Sequence, residues 1–243
     1  GAGLENIDCA FAKSRGIEVI SSPEGNRDAV AEHAIGMLLT LFNRLNIVDR
    51  EVREGIWLRA ENRGVELKSQ TVGIVGYGHM GQALAERLKG FSCNILAHDK
   101  YKNGFAEGKI QECSLEQLHE HATVISLHLP ESQECYHYLN EEFIDQMKQP
   151  FYLINTARGK NVNTKALVKG LQSGKILGAC LDVFEFEKKS FASVDGQSNP
   201  EWDYLCQSNQ VILSPHIAGW TIESHQKLSQ VLFDKFIQLF PQS

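Results

Sequence analysis

Short apolar, β-branched runs recur along the chain at Ile17 to Ser21, Thr71 to Val75, Cys93 to His98, Thr123 to His128, Phe151 to Asn155, Leu177 to Val183 and Gln210 to Leu213. Runs of this kind mark strands covered on both faces. Between most of them apolar residues return at helical spacing: Met80 to Lys89, Leu115 to His119, Glu141 to Met147 and Lys165 to Leu171. Strand alternating with helix predicts an α/β fold built on a doubly wound parallel sheet. A longer helix is expected from Ala29 to Arg53. Its first half is apolar nearly all round (Val30, Ala34, Ile35, Met37, Leu38, Leu41, Phe42) and must be covered on most sides, either between domains or in an isologous dimer contact. Gly55 to Leu67 reads as a connecting loop, and the polar stretch Lys188 to Asn209 as a long loop of the kind that is usually functional or mobile. A last helix is expected over Ile222 to Leu239, burying one face through Leu228, Val231, Leu232, Phe236 and Leu239.

The gross numbers narrow the classes of function. With 243 residues, 42% of them hydrophobic and 22% charged, the chain has the composition of a packed globular protein. A formal charge of -6 and the lack of a basic run argue against nucleic acid and for a small polar ligand. The most apolar stretch, Ala34 to Phe42, is far short of the roughly 20 residues that cross a bilayer. Six cysteines (Cys9, Cys93, Cys113, Cys135, Cys180, Cys206) lie far apart with no zinc-ligand spacing, so they read as buried free thiols in a reducing, cytoplasmic compartment. His33, His119, His121 and His225 fall in helical patterns without a partner at ligand spacing, and His98 reads as positional. No metal is expected.

Thr71 to Gly81 reads TVGIVGYGHMG, a buried strand running into Gly76, Gly78 and Gly81 in the spacing GxGxxG. Alone that spacing is a weak signal; its strand and helix context strengthens it. Gly76 permits a tight turn, Gly78 lets backbone N–H groups approach a pyrophosphate, and Gly81 lets the following helix close on the sheet. The next strand ends at Asp99, 18 residues beyond Gly81, near the spacing of about 20 for a ribose-binding acid. A carboxylate there favours NAD over NADP, while Lys100 and Lys102 keep NADP open.

Three further residues follow strands, where a doubly wound sheet presents its ligand crevice: Arg158, Glu187 and His216. Singly, each has a dull reading as a paired loop arginine, a surface glutamate or a turn histidine. Together they form a chemical set. A guanidinium grips a carboxylate with two parallel bonds, an imidazole moves a proton near neutral pH, and a carboxylate beside it fixes its tautomer.

With these motifs in register, the sequence resembles the D-isomer-specific 2-hydroxyacid dehydrogenases, and within them looks nearest to the D-3-phosphoglycerate dehydrogenases. GAGLENID, VAEHAIGMLL, GIVGYGHMG, SLHLP, NTARG, LDVFEFE and SPHIAGWT carry the likeness from Gly1 to Thr221. The resemblance implies a Rossmann NAD domain with a second, smaller flavodoxin-like substrate domain, incomplete at its N-terminus because the family has a further segment before GAGLENID. It implies domain limits of 1–26, 27–215 and 216–243. Arg158 then matches the substrate-binding arginine, Glu187 the supporting acid, with Glu185 as competitor, and His216 the general acid/base. His79, Met80, Leu129, Thr156, Ala157 and Gly219 match cofactor contacts, Asp182 the residue that orients the nicotinamide carboxamide, and Ala2 and Gly3 substrate contacts; His128 comes near the cofactor. Lys188 and Lys189 stand where the family usually has proline, and Lys160, Asn161 and Asn163 depart from its common residues. The implied activity is hydride transfer between NAD(H) and a D-2-hydroxy acid/2-keto acid pair, 3-phosphoglycerate among the candidates, in a homodimer; the alternative is an NAD-sensing corepressor-like regulator of the same fold.

Overall fold

The computed structural model describes residues 3–187 and 199–240. Its elements run α1 (Cys9–Ser14), α2 (Pro23–Phe42), α3 (Leu45–Arg53), β1 (Thr71–Val75), α4 (His79–Leu88), β2 (Asn94–His98), β3 (Ile110–Glu112), α5 (Leu115–His121), β4 (Val124–Leu127), α6 (Glu141–Gln146), β5 (Phe151–Asn155), α7 (Thr164–Gln172), β6 (Ile176–Leu181), α8 (Pro200–Gln207), β7 (Val211–Leu213) and α9 (Ile222–Leu239). The seven strands form one sheet in the order β3-β2-β1-β4-β5-β6-β7. Every pairing is parallel, with Ile74 opposite Ala97 on one side and Ser126 on the other.

Continuous burial of the strands follows from helices on both faces. On one face α2 and α4 press Leu38, Phe42, Leu84 and Leu88 against Val72, Ile74 and Ile95. On the other, Leu118 of α5, Phe143 of α6, Leu167 and Leu171 of α7 and Leu205 of α8 cover Ile125, Leu153 and Ala179. The strand order reverses between β1 and β4, so a crevice opens at the carboxyl ends of these two strands.

Several expectations are corrected. Residues 17–21 pair with no described strand and Ile17 is exposed; β-branched composition makes a strand only where a neighbour supplies the ladder. The helix expected from Ala29 to Arg53 is two helices, broken where Arg44 adopts φ 52°. The apolar surface of α2 is used inside the chain, because α4, α9 and β6 pack on it. A Cβ on Gly25 would lie 2.7 Å from the backbone of Leu228, and one on Gly178 2.9 Å from Leu41. Exposed apolar residues include Val52, Ile56, Trp57 and Leu58, on α3 and after it, and Ile222, Phe233 and Phe236 on α9.

The last helix matches its expected limits but buries little. Leu228, Val231 and Leu232 are half-buried, whereas Phe236 and Leu239 are exposed, since only part of α9 rests on α2. Within the expected loop Lys188 to Asn209, residues 188–198 lie outside the described residues, and Pro200–Gln207 is helical, capped by Asn199 with proline in the first turn. Of the cysteines, Cys93, Cys135 and Cys180 are buried, but Cys9 and Cys206 are exposed. Among the described residues no helix is long and apolar enough to cross a membrane.

Candidate active site

The turn after β1 is shaped by what its glycines lack. Gly76 holds φ 92°, and a Cβ there would meet the His128 carbonyl oxygen at 2.6 Å. A Cβ on Gly81 would lie 2.2 Å from the Gly76 carbonyl oxygen, whereas one on Gly78 would point into open space. Gly78 opens α4, whose N-terminus carries no side-chain cap. Exposed N–H groups of a helix start beside a glycine with an open face make a seat for a pyrophosphate. His79 and Met80 form the first turn of that helix, with His79 Nε2 3.9 Å from Glu24, and Leu129 lies beside Gly76.

Asp99 stands just beyond β2, on the same crevice. Its carboxylate accepts N–H bonds from Tyr77 at 2.7 Å, Tyr101 at 2.9 Å and Lys102 at 3.0 Å. Burial raises its pKa, but these N–H groups and the Lys102 charge outweigh it and hold the carboxyl below its ordinary range. Lys102 donates to the Tyr77 carbonyl, and Lys100 pairs with Glu134, which also accepts from the Tyr101 hydroxyl. Across the crevice His128 bonds Ser126 at 2.9 Å, and burial drives its pKa down to about 4.

Beyond β5, Asn155 turns the chain: its side chain accepts from Ala157 N–H and donates to the Arg158 carbonyl. The Thr156 hydroxyl is buried and has no hydrogen-bond partner among the described residues. Gly159 admits no side chain, since a Cβ would fall 1.9 Å from the Phe184 carbonyl oxygen. Arg158 is thus pressed toward the loop after β6. Its Nε donates to Glu5 at 2.6 Å and its Nη1 to the Ala157 carbonyl at 2.7 Å.

His216 follows β7 in the left-handed region, φ 57°. Its Nδ1 lies 2.6 Å from Glu187, whose side chain is 12% exposed. Glu185, the competitor, is engaged elsewhere, with Thr164 N–H and hydroxyl at 2.9 and 2.7 Å and His137 at 2.6 Å. Asp182, 1% exposed, accepts from Ser214 Oγ at 2.6 Å, Ile217 N–H at 2.9 Å and Ala218 N–H at 2.8 Å. Its visible bonds hold the loop of His216. Gly219 follows, tight against Asn26, whose Nδ2 would be 2.5 Å from an added Cβ.

The fold therefore brings Glu187 to His216 and sets Arg158 at the neighbouring strand end. Gly3 touches Arg158, since a Cβ on it would lie 2.6 Å from Nη2, while Ala2 lies outside the described residues. Glu5 was not anticipated. Its charge interacts with both Arg158 and His216; burial raises its pKa, and the Arg158 hydrogen bond with these charges brings it below the ordinary value. Ser214 and His33 were missed as well: they bond each other at 2.9 Å behind Asp182.

A parallel sheet of this order, with a glycine cradle at its switch point and a carboxylate beyond β2, defines a dinucleotide-binding dehydrogenase domain. Residues 35–218 match the family described as D-isomer specific 2-hydroxyacid dehydrogenase, NAD binding domain. The chain is 39% identical over 236 residues to a glyoxylate reductase of Thermofilum pendens, covering 94% of this chain and 67% of that protein. It is 32% identical over 241 residues to a D-3-phosphoglycerate dehydrogenase of Archaeoglobus fulgidus, covering 98% of this chain and 44% of that one. Among solved structures, the D-lactate dehydrogenase of Aquifex aeolicus complexed with NAD and lactic acid superposes with a TM-score of 0.84 at 35% identity, covering 97% of this chain and 74% of that one. The chain belongs to the D-isomer-specific 2-hydroxyacid dehydrogenases, and its Rossmann domain is an NAD-binding domain.

Proposed function

We propose that the chain interconverts a short 2-keto acid and its D-2-hydroxy acid, with Arg158 binding the substrate carboxylate, His216 moving the proton and Glu187 supporting His216. The observation that carries this reading is the 2.6 Å contact between His216 Nδ1 and Glu187 at the strand end next to Arg158. Glu187 accepts a hydrogen bond from Nδ1–H, which fixes the ring's tautomer and orientation and directs the other ring nitrogen to proton exchange with substrate. Arg158 keeps N–H groups on Nη1 and Nη2 beyond those used by Glu5 and Ala157, enough for a two-pronged grip on a carboxylate. NAD supplies the hydride acceptor or donor when bound. Gly76, Gly78, Gly81, His79 and Met80 would hold its pyrophosphate and Asp99 its ribose. Leu129, Thr156, Ala157, Asp182 and Gly219 would flank its nicotinamide half. Residues 27–215 form the cofactor domain in this reading, and 1–26 and 216–243 contribute to the substrate side.

A short substrate is favoured because glyoxylate reductases and D-lactate dehydrogenases stand among the relatives. The test is NADH and NADPH oxidation with glyoxylate, pyruvate, hydroxypyruvate and 3-phosphohydroxypyruvate. The short acids are expected to turn over with NADH, and exclusive use of the phosphorylated acid would overturn that part. His216→Ala should lower turnover by roughly 10²- to 10⁴-fold with NADH binding retained; undiminished turnover would sink the assignment.

A further inference from the structure

The motif VAEHAIGMLL sets His33 on α2, far in sequence from any reacting group. In space its Nε2 lies 2.9 Å from the Ser214 hydroxyl and 3.7 Å from Asp182 Oδ1. We propose that His33 is a positioning residue for the proton-transfer loop, acting through Ser214 and Asp182 on His216. The inference rests on the role assigned to His216 above.

His216 occupies a left-handed backbone conformation, φ 57°, which a side-chain-bearing residue keeps only when its surroundings over-determine it. Those surroundings are centred on one buried carboxylate. Asp182 takes N–H bonds from Ile217 and Ala218, immediately after His216, and its own carbonyl accepts the His216 N–H at 2.8 Å. Ser214, two residues before, adds its hydroxyl to the same carboxylate at 2.6 Å.

The Ser214 hydroxyl has one proton and three neighbours that can accept it: Asp182 Oδ1, the Met37 sulfur at 3.6 Å and, in the tautomer without a proton there, His33 Nε2. His33 and Met37 stand four residues apart on α2 and flank it. When His33 donates Nε2–H to the Ser214 oxygen, the hydroxyl proton is directed to Asp182. The donated N–H also turns the positive edge of the ring toward the buried carboxylate. Without that donor the hydroxyl is free to rotate toward Met37, and one of the three donors to the Asp182 carboxylate is lost.

The test uses steady-state kinetics of the whole enzyme in His33→Gln, His33→Asn, Ser214→Ala and the double variant His33→Asn with Ser214→Ala. Glutamine reaches Ser214 with an N–H, and asparagine has the same polarity but is too short. The expected kcat falls about fivefold in His33→Asn and in Ser214→Ala, and stays within about twofold in His33→Gln. The double variant should be no slower than Ser214→Ala, because His33 acts through that hydroxyl. Equal loss in the glutamine and asparagine variants, or multiplicative loss in the double variant, would overturn the proposal. If His33→Asn does not fold, the comparison of His33→Gln with His33→Ala decides the same point. His216→Ala run in parallel separates the two levels: turnover surviving there removes the proposed function. Its loss beside wild-type turnover in His33→Asn removes only the positioning role.

Discussion

Adding one methyl group at two glycines of the cofactor turn separates folding from binding. In Gly81→Ala the new carbon sits 2.2 Å from the Gly76 carbonyl oxygen, and the neighbour is backbone. A carbon-to-oxygen contact settles at roughly 3.3 Å, so α4 and the turn must part by about 1 Å. Overpacking of this kind costs about 1–3 kcal/mol. At about 2–4 °C per kcal/mol for a chain of this size, the Tm should fall by roughly 2–12 °C. In Gly78→Ala the new carbon meets nothing within 4 Å and the backbone φ of -81° suits any residue. Its Tm should stay within about 2 °C of wild type. Both variants should bind NADH at least about tenfold more weakly, a loss of about 1.4 kcal/mol. In one case the N–H groups are displaced; in the other a methyl group stands where the pyrophosphate approaches. Thermal melting without cofactor and fluorescence titration with NADH read the two effects separately. Wild-type NADH affinity in Gly78→Ala would refute the cradle, and a wild-type melt of Gly81→Ala would refute the packing.

Glu5→Gln keeps an acceptor for Arg158 Nε but removes its negative charge, and should raise the KM for the keto acid about fivefold, with a smaller change in kcat; an unchanged KM would show that Arg158 needs no such charged support. Because the folded-state pKa of Glu5 lies below 4.5, the stabilisation from this pair is complete above about pH 4.5 and is lost as pH falls through the lower folded value. The acid limb of the melting profile should accordingly be shallower in Glu5→Gln than in wild type. His128 runs the other way in charge but not in direction. Its folded pKa of about 4 lies below the ordinary 6.5, so the unfolded chain takes up the proton first and stability declines as pH falls from about 6.5 to about 4. Between pH 7.5 and 5.5 the loss is about 1 kcal/mol, read as a shift of the urea midpoint. His128→Gln should abolish that share of the shift, and an identical shift in both proteins would contradict the burial argument.

How much was readable beforehand depended on how local the signal was. The strands Thr71–Val75 and Phe151–Asn155 and the helix Ile222–Leu239 coincide with their expected limits, since each is bounded by polar or turn residues. The strand Ile110–Glu112 escaped notice because three residues with one buried side chain make no apolar run. The helix Pro200–Gln207 was announced by Asn199-Pro200, a cap followed by proline, yet lay inside a polar stretch that read as loop. The break at Arg44 has no glycine or proline to announce it. Glu187 and His216 could be named from spacing and resemblance. Glu5 and His33 could not, because their partners stand 153 and 181 residues away and only the closed fold brings them near.

Glu185 and Glu187 show how two carboxylates two positions apart come to different ends. The chain turns at Phe184, with the Glu187 N–H bonded back to the Phe184 carbonyl at 3.1 Å. Glu185 is thereby directed to the start of α7, where its charge meets the positive end of the helix at Thr164 and the ring of His137. Glu187 is left to face His216. The same Phe184 carbonyl excludes a side chain at Gly159, so the turn carrying the acid is braced against the turn carrying Arg158. On the far side the His216 loop is tied through Asp182 and Ser214 to His33 on α2. The helices α7 and α2 belong to opposite faces of the sheet. The histidine and its carboxylate are therefore braced from both layers, and a change packed wholly within one layer can move one partner of the pair without the other.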